Sequence, residues 1–170
     1  SDVRIHALRG EDGMDLRAKG TRWSDAEGVA EFPNGDRLVS FEQNDRVLLY
    51  PKGGGAPREV PKPDIAWKFN QGMEGLDLDP AAGPDAYRVG IEATGQTFTC
   101  RLSGGCVAGV QITQTDGYEI SGLAVLSGGR TAYLLRSFDA VRGNRIILRI
   151  TGPDGATLDE LRIAKPLTVD

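Results

Sequence analysis

The chain alternates short apolar runs with turn residues. The runs RVLLY at Arg46–Tyr50, QTFTCRL at Gln96–Leu102 and NRIILRI at Asn144–Ile150 are rich in β-branched, aromatic and leucine side chains. Glycine-containing pairs such as Asn34-Gly35 and Gly128-Gly129 separate neighbouring runs. Short apolar runs bounded by such pairs are typical of β-strands joined by hairpins. The pattern therefore predicts an all-β chain.

The same pattern occurs three times at a constant spacing. A glycine lies next to the first apolar run of each unit, at Gly28, Gly75 and Gly122, and both intervals are 47 residues (75 minus 28 and 122 minus 75). A turn, a second run, a third run and a more polar fourth run follow in each unit. Four strands in about 40 to 50 residues are typical of a β-propeller blade. A β-sandwich with coincidental spacing is the alternative.

We predict an all-β fold with three complete four-stranded antiparallel blades of a β-propeller. The expected divisions are 1–20 for an outer strand of a preceding blade, and 21–69, 70–117 and 118–167 for the three blades. Because a closed propeller typically has four or more blades, we expect missing propeller segments or a homodimer that completes the ring. Three blades alone would leave large apolar faces exposed.

Composition and charge limit the class of partner. The sequence has 170 residues, 39% of them hydrophobic, a formal charge of −4 and a pI of about 5.1. Nucleic-acid-binding surfaces normally carry a basic excess, so no nucleic-acid partner is expected. No apolar run approaches the roughly 20 residues of a membrane span. Cys100 and Cys106 could form a local disulfide in an oxidising compartment or stay as two free thiols.

Three common chemistries are disfavoured by the residue inventory. His6 is the only histidine of the sequence and lies far from any serine in a nucleophile-elbow pattern, which disfavours a Ser-His-Asp triad. One histidine and two cysteines do not provide the usual ligand spacing of a zinc site. The three glycines at 53–55 lack the Lys-Ser or Lys-Thr of a phosphate-binding loop, so they predict a strand connection.

Three longer segments carry a resemblance to a known family. They are SDAEGVAEFPNGDRLVSFEQNDRV at Ser24–Val47, NQGMEGLDL at Asn70–Leu78 and LLRSFDAVRGNRIILRI at Leu134–Ile150. Together they resemble bacterial secreted proteins with an esterase-like domain of phytase, which are related in architecture to β-propeller phytases. The resemblance runs from about Ala7 to the C-terminus. It implies a periplasmic or secreted protein whose partner is a small-molecule ester or phosphoester.

Acidic residues recur where inner strands begin and where second strands end. Equivalent points on successive blades converge around one axis, so acids that are distant in sequence can share a calcium ion through six to eight oxygen ligands. The candidate calcium ligands are Asp25, Glu27, Glu42, Asn70 and Glu74, with Glu92 as a further acid. Glu27 and Glu74 are also the candidate catalytic residues. The structural alternative for Glu27 and Glu74 is a hydrogen bond to the backbone of a neighbouring blade, and Glu42 and Glu92 are expected to be structural rather than catalytic.

Three basic residues are candidates for binding the anionic part of a substrate. They are Arg136, Arg142 and Lys68, since arginine can hold a phosphate group through two hydrogen bonds. Calcium would neutralise phosphate charge and lower the pKa of bound water. The alternative for both arginines is a salt bridge to Asp139 or to an acid of a neighbouring blade.

Two functions follow from these features. The first is a phytase-like hydrolase that acts on phosphate or other esters with the help of calcium. The second is a non-catalytic propeller that serves as a binding or assembly module. The second is motivated by Leu135, which stands before Arg136 where the family often has an acid.

Overall fold

The computed structural model describes residues 7–67, 72–114, 116–141 and 143–163, and these ranges contain three four-stranded sheets. Blade one consists of β1 (Ala26–Glu31), β2 (Arg37–Phe41), β3 (Arg46–Tyr50) and β4 (Arg58–Val60). Blade two consists of β5 (Met73–Leu78), β6 (Ala86–Ile91), β7 (Gln96–Arg101) and β8 (Cys106–Gln111). Blade three consists of β9 (Glu119–Val125), β10 (Thr131–Asp139), β11 (Gly143–Thr151) and β12 (Thr157–Ile163). A four-residue helix, α1 (Thr21–Ser24), precedes β1.

Each sheet is an antiparallel meander in which consecutive strands are neighbours. The first strands β1, β5 and β9 contact one another from blade to blade. This arrangement confirms the predicted all-β fold with three blades, and it is not the pair of facing sheets that a sandwich requires. The strands are buried on both faces where two blades meet, which explains why apolar and polar positions do not alternate cleanly along them.

The first strand of every blade contains a β-bulge at the same position. In β1 the ladder passes from Ala26 to Gly28, and in β5 it passes from Met73 to Gly75. In β9 the partners of Leu134 and Leu135 are Gly122 and Ile120. The residues left out of the ladders are therefore Glu27, Glu74 and Ser121. A bulge changes the direction of its side chain and is common beside active sites.

Neighbouring blades pack through a glycine on one blade and a leucine on the next. A Cβ atom on Gly28 would lie 2.7 Å from Cβ of Leu76, and one on Gly75 would lie 3.0 Å from Leu123. Ser40 lies in the first of these contacts, where its hydroxyl accepts from Gly28 N–H at 2.9 Å and donates to Met73 C=O at 2.8 Å. The repeated glycine therefore allows two inner strands to approach closely.

The core lies mainly between the blades. One cluster of buried side chains joins blades one and two, including Leu38, Met73 and Tyr87, and a second surrounds Ile120 and Tyr133 of blade three. Cys100 and Cys106 face each other across the β7–β8 hairpin and form a disulfide. This pairing decides between the two states that the sequence left open.

Residues 7–20 cover part of blade one without forming a strand. Their backbone makes turns and one isolated bridge between Arg9 and Asp15, and Leu16 is buried against Val39, Phe41 and Leu48. Residues 1–6, which include His6, lie outside the described part of the chain. The outer strand proposed for residues 1–20 therefore stays a prediction.

Candidate functional site

Five carboxylates from the first two blades form two overlapping groups. Asp25, Glu27 and Glu42 make up the first group, and Glu42, Glu74 and Glu92 make up the second. Within each group, one oxygen of every carboxylate lies within 4.8 Å of the others. Glu42 belongs to both groups and therefore links them. The structure brings together all the described residues that the sequence predicted as calcium ligands.

The backbone explains why these acids converge. Glu27 and Glu74 are the bulged residues of β1 and β5. Glu42 and Glu92 each follow the last residue of a second strand, and their N–H groups donate to Asp25 C=O at 2.9 Å and to Gly72 C=O at 3.0 Å. These positions repeat from blade to blade, so adjacent blades place equivalent side chains beside one another.

Arg136 occupies the corresponding position of blade three. Arg136 follows Leu135, the second-strand residue that pairs with Ile120 of the first strand. The equivalent second-strand residues are Phe41 in blade one and Ile91 in blade two, and they are followed by Glu42 and Glu92. The guanidinium of Arg136 lies 3.9 Å from the carboxylate of Glu92, and half of the Arg136 side chain is exposed. The third blade therefore contributes a cation where the first two contribute acids.

Glu42 is held in place by the blade that follows it. Its side chain is only 3% exposed, and its carboxylate accepts a 2.8 Å hydrogen bond from Gly72 N–H. A Cβ at Gly72 would lie 3.2 Å from Cγ of Glu42 and 2.8 Å from a carboxylate oxygen of Asp45. This crowding explains why blade two carries glycine where blade one has Asp25. Glu42 therefore makes the type of backbone contact to a neighbouring blade that the sequence analysis considered for Glu27 and Glu74.

Burial and like charge alter the acidity of the cluster. Burial, followed by the charges of Glu92 and Glu27, raises the pKa of Glu74 to about 7, although Arg136 opposes the shift. Burial, followed by the charges of Glu119 and Glu42, raises the pKa of Glu92 to about 7. Burial and the neighbouring Asp25 also raise the pKa of Glu27. The cluster therefore retains protons near neutral pH.

The raised pKa values predict a pH-dependent stability in the absence of metal ions. Protonated Glu74 and Glu92 are favoured by the folded state, so this stabilisation is complete below the usual glutamate pKa of about 4.5 and is lost as pH rises through about 7. We expect the melting temperature in chelator to fall between pH 5 and pH 8, as measured by calorimetry. Glu92→Gln should flatten this dependence, whereas the exposed-strand control Glu31→Gln should not. Parallel curves for all three proteins would contradict the prediction.

Three predicted site residues lie outside the described part of the chain. They are Lys68, Asn70 and Arg142, and their roles stay predictions. Leu135, in contrast, is fully buried in the blade-three core, so its side chain does not face the acids. Gln43 donates a 2.6 Å hydrogen bond to Asp25 from a left-handed backbone conformation, with φ of 59°. Gln43 thereby fixes the carboxylate of Asp25 beside Glu27.

Glu119 is a site residue that the sequence reasoning missed. It precedes Ile120 in β9 as Asp25 precedes Ala26, and it pairs with Arg136 in the ladder. Its charge contributes to the raised pKa of Glu92. Glu119 lies 94 residues after Asp25, which is twice the 47-residue interval, so the repeat itself contained the signal.

A separate cavity of about 400 Å³ is lined by basic and acidic residues of blade one and of the segment before it. Its basic groups already have partners. Lys19 pairs with Asp12, and Lys62 donates to the carbonyl of Asp45. Arg46 donates to two carbonyls and stacks on Phe41 with 4.2 Å between the guanidinium carbon and the ring centre. These contacts favour a structural role for the cavity wall, so we place the candidate site at the acid cluster.

The acids, the arginine and the blade repeat agree with one protein family. The family model described as phytase-like, with esterase-like activity of phytase, matches residues 1–169. The chain belongs to this phytase-like family. The match confirms the resemblance that the three sequence segments carry, and it covers nearly the whole chain.

Solved structures that resemble this phytase-like chain show the same fold. An aldose sugar dehydrogenase from Streptomyces coelicolor, in its PQQ-bound form, matches with a TM-score of 0.58 and 18% identity over 77% of this chain and 45% of its own. Virginiamycin B lyase from Staphylococcus aureus matches with a TM-score of 0.57 and 12% identity over 95% of this chain and 56% of its own. The chain thus spans about half the length of these proteins. At such identities the similarity shows the fold alone.

No curated protein matches the sequence. None of the helices in the described ranges has the length and apolar character needed to cross a bilayer.

Proposed function

We propose that this phytase-like protein is a metal-assisted hydrolase of phosphate or other esters. The observation that carries the proposal is the pair of overlapping carboxylate groups beside Arg136. Catalytic sites for such reactions need hard oxygen ligands, a group that exchanges a proton near neutral pH and a cation that binds the substrate anion. The cluster offers all three within one small region.

The donor set fits calcium better than zinc. Calcium prefers carboxylate, carbonyl and water oxygens and tolerates irregular geometry. Carboxylates from two blades, among them Asp25, Glu27, Glu42 and Glu74, would hold the ion, with Asn70 as an additional ligand. Burial, followed by the charges of neighbouring carboxylates, raises the pKa of Glu27 and of Glu74, and a bound dication would offset this electrostatic cost. Calcium bound there would neutralise phosphate charge and make bound water more acidic.

Glu74 and Glu27 are proposed as the groups that move a proton. Both are on bulges, and Glu74 lies beside a second acid, Glu92, so one carboxylate can keep its proton while the other is ionised. A pKa of about 7 for Glu74 suits a group that takes a proton from attacking water and later releases it. Glu27 is more exposed than Glu42 and stands nearer the solvent side of the cluster.

Arg136 is proposed to bind and orient the anionic part of the substrate. Half of its side chain is exposed, and its 3.9 Å separation from Glu92 leaves the guanidinium only loosely paired. The negative charge of the carboxylate cluster alone would repel a phosphate group. Arg136 and the bound metal cation together would neutralise that charge, so an anionic substrate could bind. Arg142 and Lys68 are proposed to add positive charge.

The location of the protein is proposed to be the periplasm or the extracellular space. The disulfide between Cys100 and Cys106 supports this proposal, because such bonds persist in oxidising compartments and are rare in the cytosol of mesophiles. The family name adds no independent evidence on location.

A non-catalytic binding module is the second candidate function. It is favoured by one observation: blade three places Arg136 where blades one and two place Glu42 and Glu92. A cation next to acids can act as a structural ion pair that holds the blades together. In that case the cluster would bind ions or anions without turnover.

The two functions are separated by one set of measurements on the chain. We expect hydrolysis of p-nitrophenyl phosphate, p-nitrophenyl acetate or phytate that is lost in chelator and restored by calcium. We also expect calcium to raise the melting temperature more at pH 8 than at pH 5, since the carboxylates are more fully ionised at pH 8. No turnover with any of the three substrates would reject the hydrolase. A calcium-independent melting temperature would reject the metal site.

A further inference from the structure

A second cavity lies at the opposite end of blade one from the acid cluster. The cluster includes Glu42, which follows the end of β2, whereas this cavity is lined by Arg37, where β2 begins, and by Tyr50, where β3 ends. Residues 7–9, from the segment before blade one, also line it. Its volume is about 430 Å³, which is within the usual range of pockets that hold small organic ligands.

The lining of this cavity, which we call the basic pocket, combines an apolar part with a group of cations. Val39 and Pro57 supply buried apolar surface. The charged side chains are Arg9, Arg37 and Lys52, and all three are exposed. None of the acids in the described ranges lines the pocket. Apolar walls with a few converging polar groups are typical of ligand sites.

The acids around the basic pocket neutralise its cations only in part. Glu31 pairs with Arg37 at 2.6 Å. Asp36 accepts a 2.9 Å hydrogen bond from the backbone N–H of Lys52 rather than from its ammonium group. Arg9 donates to a backbone carbonyl at 2.8 Å, and neither Arg9 nor Lys52 forms a salt bridge with an acid of the described residues. The positive charge of these two side chains is therefore available to an anion.

The glycines at 53–55 form one edge of the basic pocket. They belong to the connection between β3 and β4, as the sequence predicted, and Gly54 and Gly55 line the pocket. Both have positive φ, 80° and 112°, which a residue with a side chain rarely adopts. Cβ atoms added at Gly53 and Gly54 would meet nothing within 4 Å, so no described protein group covers this backbone. An exposed turn of this kind allows an anion to approach the backbone closely.

Contacts within the chain hold the basic pocket together. The hydroxyl of Tyr50 donates to the C=O of Arg9 at 2.9 Å and so ties the end of β3 to the preceding segment. Leu16 N–H donates to Leu8 C=O at 2.9 Å, and the Leu16 side chain is buried against Val39. All the lining residues lie between positions 7 and 57, so the pocket is built without any part of another blade or of another chain.

We propose that the basic pocket binds a small organic anion, in which a phosphate-type group contacts Arg9 and Lys52 and an apolar or aromatic moiety contacts Val39 and Pro57. A group with several charged oxygens suits separate cations better than a carboxylate does, because each cation can contact a different oxygen. The apolar wall would contribute by removing hydrocarbon surface from water. The pocket and the acid cluster lie at opposite ends of β2, so this inference stands independently of the proposed hydrolase activity.

Binding of phenylphosphonate in the presence of chelator tests the proposal. This probe carries a phosphate-type group on an aromatic ring and contains no ester bond, and the chelator prevents metal-mediated binding at the acid cluster. Proton–nitrogen correlation NMR should show shifts of the backbone amides of Tyr50, Lys52, Gly54 and Gly55, with a dissociation constant near ~1 mM. Methylphosphonate, which lacks the ring, and benzyl alcohol, which lacks the charge, should each bind at least ~10-fold more weakly.

Three substitutions show whether the binding is specific to the pocket. Lys52→Gln should raise the dissociation constant of phenylphosphonate about 5-fold, the upper end of what one exposed charge contributes. Glu31→Gln should lower it about 3-fold, because it removes the acid that competes for Arg37. The matched control is Arg130→Gln, which removes one exposed positive charge outside the pocket and should leave the constant unchanged.

Three results would overturn the proposal. The first is the absence of amide shifts in residues 50–57 at ~10 mM phenylphosphonate. The second is equal weakening by Lys52→Gln and Arg130→Gln, which would indicate a general attraction to the charge of the protein. The third is equal binding of phenylphosphonate and methylphosphonate, which would show that the apolar wall takes no part. Ester hydrolysis by the same proteins reports on the function separately, because the probe binds away from the acid cluster.

Discussion

Replacing Glu74 with glutamine is expected to lower the calcium-dependent hydrolysis rate at least ~100-fold, a typical loss when a group that transfers a proton is removed. Glutamine keeps the size of the side chain but can neither accept the proton from water nor contribute a negative charge to the cluster. The raised pKa of Glu74, about 7, places its titration in the range where the change matters most. The measurement is the pH dependence of kcat and kcat/KM for the best substrate of the set described above.

The fold should survive this substitution. Glu74 is one of three close carboxylates, so its removal relieves repulsion, and the melting temperature in chelator at pH 8 should stay constant or increase. Glu31→Gln is the control, because Glu31 lies on β1 but forms an exposed pair with Arg37 at 2.6 Å outside the cluster. A Glu74→Gln protein with wild-type kcat and an unchanged pH profile would remove Glu74 from the mechanism. Loss of activity in Glu31→Gln would point to a non-specific effect.

Replacing Gly28 with valine is expected to reduce the free energy of unfolding by about 3 kcal/mol, near the upper end of the usual cost of overpacking. The new Cβ would lie 2.7 Å from Cβ of Leu76 and 2.7 Å from the hydroxyl of Ser40. Cβ of Leu76 is attached directly to the backbone, and the Ser40 hydroxyl is held by hydrogen bonds to Gly28 N–H and Met73 C=O, so the blades themselves must move apart. The movement would also disturb the hydrogen bond from Gly28 N–H to Ser40.

Urea denaturation followed by tryptophan fluorescence and circular dichroism checks this expectation. The matched control is Gly104→Ala, because a Cβ at Gly104 would meet nothing within 4 Å. That protein should be as stable as the wild type, or slightly more stable, since alanine restricts the unfolded chain. Equal stability of Gly28→Val and wild type would show that the blades do not pack as closely as the glycine spacing indicates.

The repeat made much of the site predictable from the sequence. The spacing of 47 residues identified Glu74 as the counterpart of Glu27, and the structure places both on equivalent bulges. The same spacing could also have identified Glu119 through Asp25, and Arg136 through Glu42, because both pairs are 94 residues apart. Glu92 departs from the period because blade two has a longer connection between its first two strands. Gly75 and Glu92 are 17 residues apart, whereas Gly28 and Glu42 are 14 apart.

The sequence by itself determined the strands, the turns and the three-fold repeat, because hydrophobic spacing and turn residues act over short stretches of chain. It also determined which glycines recur and which acids accompany them. Only the tertiary structure decided that Glu42 is buried and bonded to the next blade, and that burial and neighbouring charges raise the pKa values of Glu74 and Glu92 to about 7. Burial and like-charge repulsion depend on distances between residues far apart in the chain, and these distances are set when blade packs against blade.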